Sequence, residues 1–82
     1  MNERIRNVIE QYAKVNVDAS ALDEHADLYQ AGMTSHASVS LMLGLENEFD
    51  VEFPDHMLTR SMFESIASIR RAVEELTREA AA

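Results

Sequence analysis

Residues 35–49 read Ser35-His36-Ala37-Ser38-Val39-Ser40-Leu41-Met42-Leu43-Gly44-Leu45-Glu46-Asn47-Glu48-Phe49. Turning about 100° per residue, Leu41, Met42, Leu45 and Phe49 fall on one arc about 100° wide, the mark of a helix that buries one face. Val39 and Leu43 fall outside that arc, beside His36, Ser40, Glu46 and Asn47. Two readings of the pair stand open: it widens the buried stripe, or it forms an exposed apolar surface. Upstream, Gly32 closes a turn, and either Thr34 or Ser35 can cap the helix by accepting a free backbone N–H. Downstream the helix ends near Asp50. Pro54 can open a short helical turn, because the first helical position tolerates a missing N–H.

Further out, the pattern stays helical. In residues 3–15, Ile5, Val8, Ile9, Tyr12 and Val15 recur at the spacing of one helical face, with charged residues between them. After Ser65, Ile66, Ile69, Val73 and Leu76 make a comparable stripe. The stretch from Asn16 to Thr34 has no sustained period and reads as a long loop pinned by Leu22, Leu28 and Tyr29. A connection of that length inside a compact domain is often functional. The expected fold is all-α, a four-helix bundle of three main helices and one short one, forming a single domain over residues 1–82.

Composition narrows the functions. Hydrophobic residues make up 46% and charged residues 27%, the balance of a folded domain rather than a disordered chain. The 7 Lys and Arg against 15 Asp and Glu give a net charge of −8, which repels phosphate backbones and argues against nucleic acid as a partner. There is no cysteine, hence no disulfide or thiolate metal site. The N-terminus MNERIRNVIE is charged and amphipathic, unlike a secretion signal. No run approaches the roughly 18 apolar residues of a membrane span. A cytoplasmic protein without a membrane role is expected, and nothing in the pattern demands an obligate oligomer, so a monomer is expected too. His25, His36 and His56 share no metal-ligand spacing, and no metal site is expected. Ser35 beside His36 is not a hydrolytic pair, because neighbours on a helix start diverge by about 100° and a nucleophile needs its base within hydrogen-bond reach. No catalytic residue is assigned.

Ser35 still stands out. A serine at a helix start is commonly a cap and nothing more. The same position also suits a covalently attached phosphate, since unpaired N–H groups and the positive end of the helix dipole converge there. Gly32 allows the tight turn that leaves such a hydroxyl accessible.

The run Asp27-Leu28-Tyr29-Gln30-Ala31-Gly32-Met33-Thr34-Ser35 resembles the motif of the acyl and peptidyl carrier proteins, with its aspartate-leucine pair, glycine and serine in that order. Residues 45–55, Leu45-Glu46-Asn47-Glu48-Phe49-Asp50-Val51-Glu52-Phe53-Pro54-Asp55, are similar to the end of the family's second helix and its acidic, proline-containing exit. The final helix is similar in placement, so the resemblance covers nearly the whole chain. It implies that Ser35 carries 4′-phosphopantetheine, added by a phosphopantetheinyl transferase, and that the arm's thiol holds cargo as a thioester while separate enzymes do the chemistry. It also implies a partner surface on the second helix, here Thr34, His36, Val39, Ser40, Leu43, Glu46 and Asn47.

Two departures flank the serine. Family members usually place aspartate before it and leucine after it, where this chain has Thr34 and His36. Ala37, Ser40 and Asn47 likewise replace frequent acids, so steering by charge weakens at this surface and shape decides more. The run from Ala31 to Val39, followed by Leu41-Met42-Leu43, looks like a bacterial subgroup of free-standing carriers loaded with small amino acids. Their loading enzyme, an amino acid:carrier protein ligase, resembles a truncated aminoacyl-tRNA synthetase. The alternatives are an ordinary acyl carrier of fatty-acid or polyketide synthesis served by an acyltransferase, and a carrier-like adaptor without the arm.

Overall fold

The structure is a computed structural model that describes residues 2–13 and 21–81, with side chains placed as far as Arg78. Its elements are α1 (Asn2–Tyr12), α2 (Ser35–Phe49), a short 3₁₀ helix (Asp55–Met57) and α3 (Ile66–Ala81). No strand occurs among the described residues. The all-α expectation of three main helices and one short one is met, and the bounds of α2 coincide with the sequence reading. Val15 and residues 16–20 of the expected loop lie outside the described residues.

One apolar core joins the three helices. Ile5 and Ile9 of α1, Leu41 and Leu45 of α2, and Ile66, Ile69 and Val73 of α3 are all fully buried, and α1 packs against both other helices. Four described positions from the expected stripes are not buried: Met42 and Leu76 pack half-buried against the core, and Tyr12 and Phe49 have partners of their own. Tyr12 is 38% exposed, and its ring lies against the backbone of α2 at Gly44, where an added Cβ would come within 2.5 Å of Tyr12 Cδ2. Phe49 is half-buried rather than central, because the end of α2 leaves the core. The Arg4 guanidinium covers its ring at 4.5 Å, and Arg4 also binds the Glu48 carboxylate and carbonyl at 2.9 and 2.8 Å.

The segment before α2 is a chain of turns anchored from below. Leu28 is fully buried. Asp27 Oδ1 accepts the N–H of Tyr29 at 2.9 Å, a local side-chain turn typical of aspartate. The N–H of Leu28 donates to the Glu64 carbonyl at 2.8 Å, and the N–H of Ala67, in the first turn of α3, donates to the Glu24 carbonyl at 2.9 Å. Loop and helix therefore satisfy each other's backbone groups. Gly32 follows with φ 114°, a conformation open to glycine and strained for other residues.

A polar knot ties the far end. Glu24 Oε2 accepts from Asn2 Nδ2 and from Arg70 Nη1, each at 2.9 Å, joining α1, the loop and α3. The hydrogen bond from Arg70, then that from Asn2, then the Arg70 charge hold the Glu24 carboxyl below the usual carboxylate range. A carboxyl depressed in the folded state stabilises the fold above its unfolded value, and that stabilisation fades as pH falls through the folded value. Urea midpoints are accordingly expected to fall on acidification below the ordinary carboxylate range, and to fall less in Glu24→Gln. Parallel midpoint profiles for the two proteins would contradict this linkage.

Candidate functional site: the serine at the start of the second helix

The start of α2 divides labour between two neighbouring hydroxyls. Thr34 is the cap: its backbone is extended, and its Oγ1 accepts the N–H of Ala37 at 3.0 Å. Of the two capping candidates in the sequence, the threonine takes the task. Ser35, the first helical residue, is exposed, and its hydroxyl makes no hydrogen bond among the described residues. The backbone N–H groups of Ser35 and His36 likewise find no acceptor there. No acidic residue occupies the first turn. The Ser38 hydroxyl donates to the Ser35 carbonyl at 2.6 Å. The result is a free nucleophilic oxygen at a helix terminus that favours an anion.

A cavity of about 460 Å³ opens directly beside Ser35, between α2 and the segment that precedes α3. Its walls are largely apolar, with Val39, Met42, Leu58 and Phe63 among them, and exposed Arg60 also lines it, lying over the Tyr29 ring 3.9 Å from the centroid. A second cleft of about 270 Å³ lies on the other flank of α2, lined by Tyr12 and Ala13 at the end of α1 and by Thr34, His36 and Ser40.

Residues assigned to partner recognition border two different clefts. Val39 and Leu43, 54% and 56% exposed, are not core, which decides the open question about this pair in favour of the exposed surface. Val39 borders the serine cavity, whereas Thr34, His36 and Ser40 border the opposite cleft. Asn47 is exposed. Glu46 is occupied within the chain. Its carbonyl takes the N–H of Asp50 and, at 3.1 Å, that of Val51, while its carboxylate takes the N–H of Phe53 at 2.9 Å. Asp50 closes the helix in the left-handed conformation, φ 53°. Glu46 thus shapes the exit of α2, a role that helical position alone does not reveal.

Sequence reasoning also passed over Tyr29 as a ring platform, Arg60, and Gly44 as a point of close approach. The sequence does carry a signal for Arg60: it is the one Lys or Arg between Lys14 and Arg70, in a segment without helical period. Among the described residues no three His, Asp or Glu side chains converge as a metal site would require, and no helix is long and apolar enough to cross a membrane.

A small helical bundle that displays an unbonded serine at a helix start beside an open cavity has the form of a carrier domain, and its residues fit a phosphodiester-linked arm. The chain belongs to the phosphopantetheine attachment site family, whose profile matches residues 3–76, and the prosthetic group of that family is 4′-phosphopantetheine. Among its relatives, the aminoacyl carrier protein of Agrobacterium fabrum is 43% identical over 74 residues, which span 90% of this chain and 89% of that protein. Aminoacyl carrier protein 1 of Bradyrhizobium diazoefficiens is 33% identical over 73 residues, 89% of this chain and 81% of that protein. The fold is similar to a carrier protein from Agrobacterium tumefaciens crystallised with an engineered Bradyrhizobium japonicum glycine:carrier protein ligase and AMP. The TM-score is 0.87 at 43% identity, covering 90% of this chain and 99% of the other.

Proposed function

We propose that this chain is an aminoacyl carrier protein: Ser35 receives the phosphopantetheine arm, and a ligase loads the arm's thiol with a small amino acid such as glycine or alanine. The observation that carries the attachment site is the separation of roles at the helix start, where Thr34 does the capping and the Ser35 hydroxyl is left exposed and unbonded. A phosphopantetheinyl transferase delivers the arm from coenzyme A: the Ser35 oxygen gives up its proton to a base of the transferase and bonds to the pantetheine phosphorus, as the pyrophosphate P–O bond breaks and adenosine 3′,5′-bisphosphate leaves. When bound, the arm supplies a terminal thiol that holds cargo as a thioester. The chain's own part is to display and orient. Thr34 holds the helix start in place, and the free N–H groups of Ser35 and His36 would be available to hold the attached phosphodiester.

Support for amino acid cargo comes from the relatives, one of them 43% identical across most of the chain, together with the neutral rim at Thr34, Ala37, Ser40 and Asn47. On this reading the chain is not itself an enzyme, and it works as one domain in the cytoplasm. Its partners find it chiefly by shape, through Val39 and Leu43 on one flank and Thr34, His36 and Ser40 on the other.

The arm-bearing protein should form a glycyl or alanyl thioester when incubated with a carrier protein ligase of this type, ATP and the amino acid. Intact mass spectrometry, with hydroxylamine to release the thioester, reads the product. A malonyl donor with a fatty-acid transferase should load it poorly. Efficient malonyl loading with no aminoacyl thioester would overturn the cargo assignment.

A further inference from the structure

The net charge of −8 makes any cation near Ser35 worth attention. Among the described residues that border the serine cavity, Arg60 alone is charged. It takes part in none of the ion pairs formed among the described residues, whereas Arg4 and Arg70 are both committed to carboxylates. What orients Arg60 is the Tyr29 ring, 3.9 Å below its guanidinium carbon. Stacking on a ring face uses the flat side of a guanidinium and leaves its edge N–H groups free to donate. Those donors are suited to phosphate oxygens, which they can engage two at a time.

We infer that Arg60, held over Tyr29, is the chain's own counter-ion for the phosphodiester attached at Ser35, and that the pairing draws the first part of the arm across the mouth of the cavity. Three observations converge: Ser35 and Arg60 border the same cavity, no carboxylate competes for the guanidinium among the described residues, and the ring preorganises it. An exposed arginine stacked on tyrosine is held only weakly by the ring, so Arg60 can adjust toward the phosphate at little cost. This inference rests on the reading of Ser35 as the attachment site and concerns the phosphate alone, whatever the cargo.

Nuclear magnetic resonance of apo and arm-bearing protein tests it. Addition of the arm should shift the Arg60 Nε–H and Tyr29 ring resonances, while exposed Arg71 on α3 serves as an internal reference that stays in place. The ³¹P resonance of arm-bearing Arg60→Gln should differ from that of the unaltered protein, and the pantetheine protons nearest the phosphate should relax as a more mobile group. Raising ionic strength should move the ³¹P resonance of the unaltered protein toward the Arg60→Gln position, because salt screens an exposed pair. Arg60 and Tyr29 resonances indifferent to the arm, or a ³¹P resonance indifferent to the substitution, would overturn the inference while Ser35 modification stands. Failure of Ser35 to gain the arm, visible as unchanged intact mass, would overturn both readings.

Discussion

Ser35→Ala incubated with coenzyme A and a phosphopantetheinyl transferase should gain no mass, whereas the unaltered protein gains a single arm. The expected loss is complete, because no other residue among those described joins a free hydroxyl to this helix start. Thr34 Oγ1 is committed to the Ala37 N–H, and Ser38 donates to the Ser35 carbonyl. The substitution should leave stability within about 0.5 kcal/mol, since it removes an exposed hydroxyl that makes no bond among the described residues. Thr34→Ala provides the contrast. It should cost about 1 kcal/mol as a lost cap while still permitting modification at Ser35. A mass gain in Ser35→Ala equal to that of the unaltered protein would refute the assignment, and circular dichroism of the same sample would verify that the bundle is intact.

The second large effect concerns the core. Ile69 is fully buried on α3, so Ile69→Ala should cost about 2–5 kcal/mol, a large share of the roughly 5–15 kcal/mol that holds a typical domain together. Val39→Ala and Leu43→Ala remove side chains more than half exposed and should stay within about 0.5 kcal/mol. Their effect belongs to binding, where both should weaken association with a loading enzyme. Phe49→Ala should fall between these groups, because its ring is half-buried and covered by Arg4. Denaturant midpoints for the four proteins rank the effects. Equal destabilisation by Ile69→Ala and Val39→Ala would show that α2 buries a different face.

Much of this was legible from residues alone because helical period is a local property. The placement of Leu41, Leu45, Ile69 and Val73 inside follows from spacing that any helix imposes, and the start and stop of α2 follow from capping chemistry within a few residues of each end. The exposure of Val39 and Leu43 was not decided that way. Helical position separates them from the core arc but cannot say whether a loop or another helix covers them. The structure leaves them open, since α1 covers α2 from the Tyr12 side, where Gly44 admits the ring.

Glu46 makes the same point from the polar side. On the helix it belongs with the outward residues, yet the chain turns back after Asp50 and brings the Phe53 amide to its carboxylate. The loop before α2 owes its shape to bonds with residues far along the chain, among them those to the Glu64 carbonyl and the Ala67 amide.

By itself, then, the sequence determined three amphipathic helices and a short turn, the limits of α2, a serine at its start, and an acidic chain without cysteine. Each depends on residue type and spacing over one or two turns. The choice of Thr34 over Ser35 as cap is also local, made with the Ala37 amide three residues on, but only the structure reveals it. Only the tertiary structure decided that the outward residues of α2 border two different clefts, and that Arg60 stands over Tyr29 beside the serine cavity. Those outcomes depend on which surfaces meet when segments distant in sequence pack together, and no local period carries that information.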